Sequence, residues 1–164
     1  MRNLAVFAPL AAVLAFSAAP AMAEPALVSV SLGPDLQDKA DELGAREVRE
    51  QADRLAELVG RALAREGDLD GARIELVLTD LRPNRPTYQQ LIDHPGLDGH
   101  RSRSIGGATI EGQITLADGR TLPVQYDWYS ASLADVRGFH TWQDADRAYR
   151  RLADNIADGR YARR

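Results

Sequence analysis

One apolar stripe does most to limit what this chain can fold into. Leu36, Ala40 and Leu43 begin it, and Val48, Ala52, Leu55, Val59 and Ala62 continue it at steps of four and three. Acids and arginines fill the positions between. That period predicts amphipathic helix over Asp35 to Glu66, with Gly44 as a break after a short first helix and Gly67 as a C-cap candidate. A helix with one apolar face needs a second layer to cover that face.

The rest of the sequence supplies that layer as strands. Ala26 to Leu32 alternates before Gly33-Pro34 stops it, which suits a leading edge strand. Between Ala72 and Leu81, Ile74, Leu76 and Leu78 alternate with Arg73, Glu75 and Thr79, as in a strand with one buried face. Ser104 to Leu116 is a further strand, in which Gly106-Gly107 signals a bulge or a close backbone approach. Ala117-Asp118-Gly119-Arg120 is a hairpin turn, and Thr121 to Tyr129 returns with Leu122, Val124, Tyr126 and Trp128 on one face. Pro123 assigns that return strand to a sheet edge.

A final helix is predicted over Thr141 to Ile156, its buried stripe made by Trp142, Ala145, Tyr149, Leu152 and Ile156. Thr141 is read as its cap, with Asp144 three residues on in a capping-box position. The expected fold is α+β: a small antiparallel sheet of three or four strands, with a C-terminal hairpin, packed against a long N-terminal helix and a C-terminal helix.

Residues 1–23 have the order of a secretory leader. Arg2 gives a positive start, Leu4 to Ala19 is almost wholly apolar, and Ala21-Met22-Ala23 is a small-x-small cleavage site. The expected mature chain is a single domain over residues 24–164, periplasmic or secreted, without a transmembrane segment. Losing the leader removes only Arg2 and leaves 19 basic against 24 acidic residues, a balance that argues against nucleic acid as a partner. The absence of cysteine excludes disulfides, thiolate catalysis and a lipidated N-terminus.

The polar connection 82–104 is the most distinctive surface segment. It carries Arg82, Arg85, Arg101 and Arg103, with Asn84, Thr87, Tyr88, Gln89 and Gln90 among them, and one helical turn is expected near Thr87 to Ile92. Arginine forks bind carboxylate or phosphate in bidentate geometry. These residues, together with an exposed Tyr129, are the candidate binding surface for an envelope protein or an anionic envelope polymer. The competing structural reading pairs the arginines with Asp80, Asp93 and Asp98. His94 and His100 beside Asp93 and Asp98 match no established metal-ligand spacing, so neither metal nor cofactor is expected. Gly-x-Ser-x-Gly is absent, and Ser102 and Ser104 near His100 do not make a triad, so no catalytic residue is assigned. Tyr126, Trp128, Phe139 and Trp142 form a late aromatic group, read chiefly as core between hairpin and last helix.

Arg82-Pro83-Asn84-Arg85-Pro86-Thr87, Ser104-Ile105-Gly106-Gly107-Ala108, Ala117-Asp118-Gly119-Arg120, and Thr141-Trp142 with Asp144-Ala145 resemble segments of a group of uncharacterised exported proteobacterial proteins. The arrangement is also similar to small bacterial envelope lipoproteins of unknown function, although their lipidation cysteine is missing. The resemblance implies no activity. The expected role is a non-enzymatic binding or interaction module of the cell envelope. The alternatives are a small hydrolase of a glycan or ester using His94, His100, Asp93 or Asp127, and a structural protein that self-associates through a sheet edge.

Overall fold

Gly44, with φ of 91°, divides the N-terminal helical segment in two, in a conformation that side-chain-bearing residues rarely adopt. The computed structural model describes residues 25–66, 69–136 and 140–161. The expectations for the leader 1–23, Gly67 and Phe139 lie outside those residues. The described elements are β1 (Leu27–Leu32), α1 (Pro34–Leu43), α2 (Ala45–Glu66), β2 (Arg73–Arg82), α3 (Tyr88–Asp93), β3 (Gly107–Thr115), β4 (Thr121–Tyr129) and α4 (Gln143–Ala157).

The fold is α+β, with one four-stranded sheet in the order β1-β2-β3-β4. Its inner face carries Ile74, Leu76, Leu78, Ile110, Ile114 and Val124, buried against Leu36 of α1, Val48, Leu55 and Val59 of α2, and Tyr149, Leu152 and Ile156 of α4. Each fully buried aliphatic side chain of this set contributes about 1.5–3 kcal/mol of transfer free energy. The apolar stripe of α2 thus finds its second layer in the sheet and in α4.

The sheet is mixed, which corrects the expectation of a wholly antiparallel one. β1 runs parallel to β2, pairing Leu27 with Arg73 through Leu32 with Leu78. α1 and α2 carry the chain back to the end from which β1 began, and a parallel pair requires such a crossover. β2, β3 and β4 are antiparallel, and β4, which bears Pro123, is an edge as expected. Another correction concerns α4. Trp142 occupies the N-cap position, and its own side chain makes no capping hydrogen bond. The backbone carbonyl of Thr141, the expected cap, accepts a hydrogen bond from the Asn84 N–H at 2.7 Å instead.

β2 contains a register shift between Leu78 and Asp80. One extra residue, Thr79, reverses the side-chain parity, so Leu81 is buried like Leu78, whereas Asp80 turns outward opposite Thr109. The close approach expected at Gly106-Gly107 is present. A Cβ on Gly107 would stand 2.1 Å from the Trp128 carbonyl oxygen.

The bulge places Asp80 beside Tyr129. The Tyr129 hydroxyl lies 2.7 Å from Thr109 Oγ1 and donates to Asp80 Oδ2 at 3.0 Å, while the Arg82 guanidinium stacks 4.9 Å from the ring centroid. Tyr129, expected to be exposed, is therefore half-buried and engaged within the fold. Burial, reinforced by the Asp80 charge, pushes its phenol up from the ordinary 10.0 to about 12. The folded protein consequently holds this proton to higher pH than the unfolded chain does. The resulting stabilisation is complete below pH 10 and is lost as pH rises toward 12. Burial raises Tyr149 in the same direction. Tyr129→Phe is expected to flatten, without abolishing, the alkaline fall in urea midpoint, and an unchanged pH profile would contradict this placement.

Candidate functional site

The connection between β2 and β3 is long but folded, and its foundations are buried polar groups. Asn84 is the first. Its side-chain Nδ2 donates to Asp144 Oδ2 at 2.6 Å and its Oδ1 accepts from the Asp144 N–H at 2.8 Å. Its carbonyl accepts from the Ser104 N–H at 3.0 Å, which closes the loop on itself. Gly106 makes room for this, since a Cβ there would meet the Asn84 side chain at 2.6 Å. Asp144 is 0% exposed. It also accepts from Ser130 Oγ at 2.6 Å and from Arg147 at 3.2 Å, so both carboxylate oxygens are occupied. One carboxylate thereby ties the start of the loop, the end of β4 and the first turn of α4.

Arg85 and Thr87 are buried as well. Arg85 donates from one guanidinium nitrogen to the carbonyls of Gly99 and His100 and so draws the two limbs of the loop together. Thr87 and Gln90 form a capping box that starts α3, each side chain bonding the other's backbone N–H at 3.2 Å. Further along, Asp98 Oδ1 accepts from the N–H groups of Arg101 and His100 at 2.8 and 2.7 Å, and these two bonds hold its carboxyl below the usual range. Asn84, Arg85 and Thr87 therefore build the loop from within and present no surface to a partner. This departs from their expected place in an exposed binding array. Gln89 is half-buried and donates to the Asp93 carboxylate.

Arg82, Tyr88, Arg101 and Arg103 remain exposed. Arg82 pairs with Asp80 at 3.0 Å, in line with the structural reading of that arginine. The Arg101 and Arg103 guanidinium groups have no carboxylate partner among the described residues. Beside Tyr88, which the sequence reading had placed in the site, stand Ile92, Leu97 and Ile105, which it had not. Tyr88 is 74% exposed, Ile92 56%, and Leu97 and Ile105 37% each. Tyr88 and Ile92 lie one turn apart on α3, on the same side of that helix. Leu97, Ile105, Pro83 and Pro86 line a shallow groove of about 330 Å³ that is flanked by Arg82 and Arg103. The sequence signal was the presence of large apolar residues in a segment without helix or strand periodicity.

The groups considered for catalysis do not converge. Asp127 lines a cleft between β4 and α4, whereas Asp93, His94 and His100 line neither that cleft, nor the groove under the loop, nor the cleft between α2 and α4. Among the described residues no cluster of three or more His, Asp or Glu side chains could hold a metal ion, and no helix is long and apolar enough to cross a membrane. No protein-family model matches the chain, and no curated protein matches it at a significant level.

Asp144→Ala leaves Asn84 and Ser130 without their buried partner. It is expected to cost about 2–4 kcal/mol of folding stability, against about 1 kcal/mol for Ser130→Ala. Urea unfolding of the two variants checks this, and an Asp144→Ala midpoint equal to wild type would contradict the anchoring role.

Proposed function

We propose that this protein is a non-enzymatic interaction module of the bacterial envelope, exported and cleaved near Ala23, and that the loop between β2 and β3 is its contact surface. The observation that carries the reading is where exposed apolar area is concentrated. Of the six large apolar side chains exposed among the described residues, Tyr88, Ile92, Leu97 and Ile105 belong to this one connection. Isolated surface apolar residues are ordinary, but a group of them on a single folded segment is characteristic of an interaction site.

The charge pattern narrows the partner. The chain carries a net charge of −4, yet the loop holds three arginines against two aspartates, with Arg82 at the end of β2 beside them, and Arg101 and Arg103 stand unpaired by any described carboxylate. Apolar side chains beside free guanidinium groups suit a protein surface with an acidic rim better than a purely polyanionic polymer, because Tyr and Arg anchors gain most when an apolar partner desolvates them. The buried anchors support the same reading. Asn84, Arg85, Thr87 and Asp144 hold the loop in one arrangement before binding, which lowers the entropy lost on association. The resemblance to exported envelope proteins is compatible with this role and adds no activity to it.

The test is crosslinking capture from the native periplasm, with wild-type protein and an Arg101→Ser, Arg103→Ser, Tyr88→Ser variant as parallel baits. All three positions are exposed, so the variant is expected to fold. Specific capture that the variant loses, and that weakens as salt is raised, is the expected result. Equal capture by both baits would refute the loop as the contact surface.

A further inference from the structure

The two edges of the sheet are finished differently. β4 carries Pro123, which discourages strand addition, whereas β1 at the other edge has neither a proline nor a charge over Leu27–Leu32. The Leu27 and Gly33 N–H groups bond the carbonyls of Ala72 and Leu78 on the β2 side, each at 2.9 Å. Alternation along the strand therefore turns the N–H and C=O groups of Val28, Val30 and Leu32 away from the sheet. The Leu32 carbonyl accepts from Gln37 Nε2 at 2.7 Å. The outward groups of Val28 and Val30 have no partner among the described residues.

An antiparallel copy of β1 satisfies these groups. A two-fold axis that keeps both helical layers on one side of the sheet sets like faces opposite each other, so the register centres on a residue. Centred on Ser29, Val28 exchanges both its hydrogen bonds with Val30 of the second copy, and the Leu32 carbonyl keeps its bond to Gln37. The helical layer fits the same operation. α4 packs on β3 and β4 and α2 on β1, so the flank of α2 turned from α4 overhangs the open edge. Arg54 and Arg65 reach Asp146 and Asp154 of α4, which places Ala52, Ala56 and Gly60, spaced by four, on that overhanging flank. A Cβ on Gly60 would meet nothing within 4 Å. One helix over two strands repeats at about 10 Å, the distance at which helices pack, so continuing the sheet brings the two α2 flanks together, and small residues allow the approach. The helices are antiparallel there. Arg49, exposed and without a described ion-pair partner, is directed toward the C-terminal end of the other α2, where the helix dipole favours a cation. A strand from a foreign protein would satisfy the edge and leave this flank bare. We propose that the protein forms a two-fold dimer through β1 and α2, each four-stranded sheet continuing into the other. Because β2 is parallel to β1, the two β2–β3 loops then point in opposite directions.

Sedimentation equilibrium of the protein, purified as the cell processes it, is expected to give twice the monomer mass at micromolar concentration. Val30→Pro removes only an outward N–H, and Gly60→Glu adds a charge in open space on α2. Circular dichroism checks that each folds, and each is expected to sediment as monomer where wild type is dimeric. The chain has no cysteine, so Ser29→Cys supplies a single thiol. Facing its own copy at about 4.5 Å between Cα atoms, it is expected to oxidise to a covalent dimer. Leu27→Cys, at a position 59% exposed but offset along the partner strand, is expected to stay largely monomeric on a non-reducing gel. The Arg101→Ser, Arg103→Ser, Tyr88→Ser variant should dimerise as wild type does, which separates this contact from the loop. A wild-type monomer at that concentration, a dimer that Gly60→Glu leaves intact, equal crosslinking of the two cysteine variants, or a dimer lost with the loop variant would overturn the proposal.

Discussion

The buried carboxylate of Asp144 is the constraint on which the functional half of this structure rests. A charge removed from water is tolerated only when its oxygens are bonded, and here Asn84 and Ser130 on one oxygen and Arg147 on the other satisfy that condition. The bonds of this one side chain join segments 60 and 14 residues away in the chain. A hydrophobic residue at 144 would bury as well, but it would not specify where the loop begins. The acid also sits in the first turn of α4, where the helix dipole favours negative charge.

From that anchor the loop follows as a chain of local satisfactions. Asn84 fixes its two ends to each other, Arg85 bonds carbonyls on the returning limb, Thr87 and Gln90 start α3, and Asp98 bonds two N–H groups at the tip. With the polar residues occupied inward, the apolar ones and two arginines are left facing water. A connection of this length that leaves Tyr88 and Ile92 largely exposed resembles a binding loop on a rigid scaffold more than a linker.

The elements were largely legible in the sequence. Periodicity of 3.6 and 2 identified the helices and strands, Gly44 and Gly119 marked their breaks, and the turn near Thr87 formed where expected. Legibility ended where a residue's role depends on a partner remote in the chain. Asn84, Arg85 and Thr87 looked like surface polar residues because nothing local reveals Asp144 or the carbonyls of Gly99 and His100. Asp144 looked like a capping residue because it stands near a helix start. The parallel pairing of β1 was hidden because strand direction depends on how a crossover packs, which alternation does not encode. The Thr79 bulge was visible in principle, since Leu81 breaks the parity of Ile74, Leu76 and Leu78 and can be buried only if one residue is inserted.

The central claim is that the loop is an ordered, pre-shaped surface, and residue-resolved amide hydrogen exchange of the unmodified protein tests it most directly. The amides of Asn84, His94, Ser102 and Ser104, each hydrogen-bonded within or at the base of the loop, are expected to exchange slowly, with protection approaching that of β2 and β3. If those four amides exchange at the rate of an unstructured chain while the strands stay protected, the loop is not held by its buried anchors and the account is wrong.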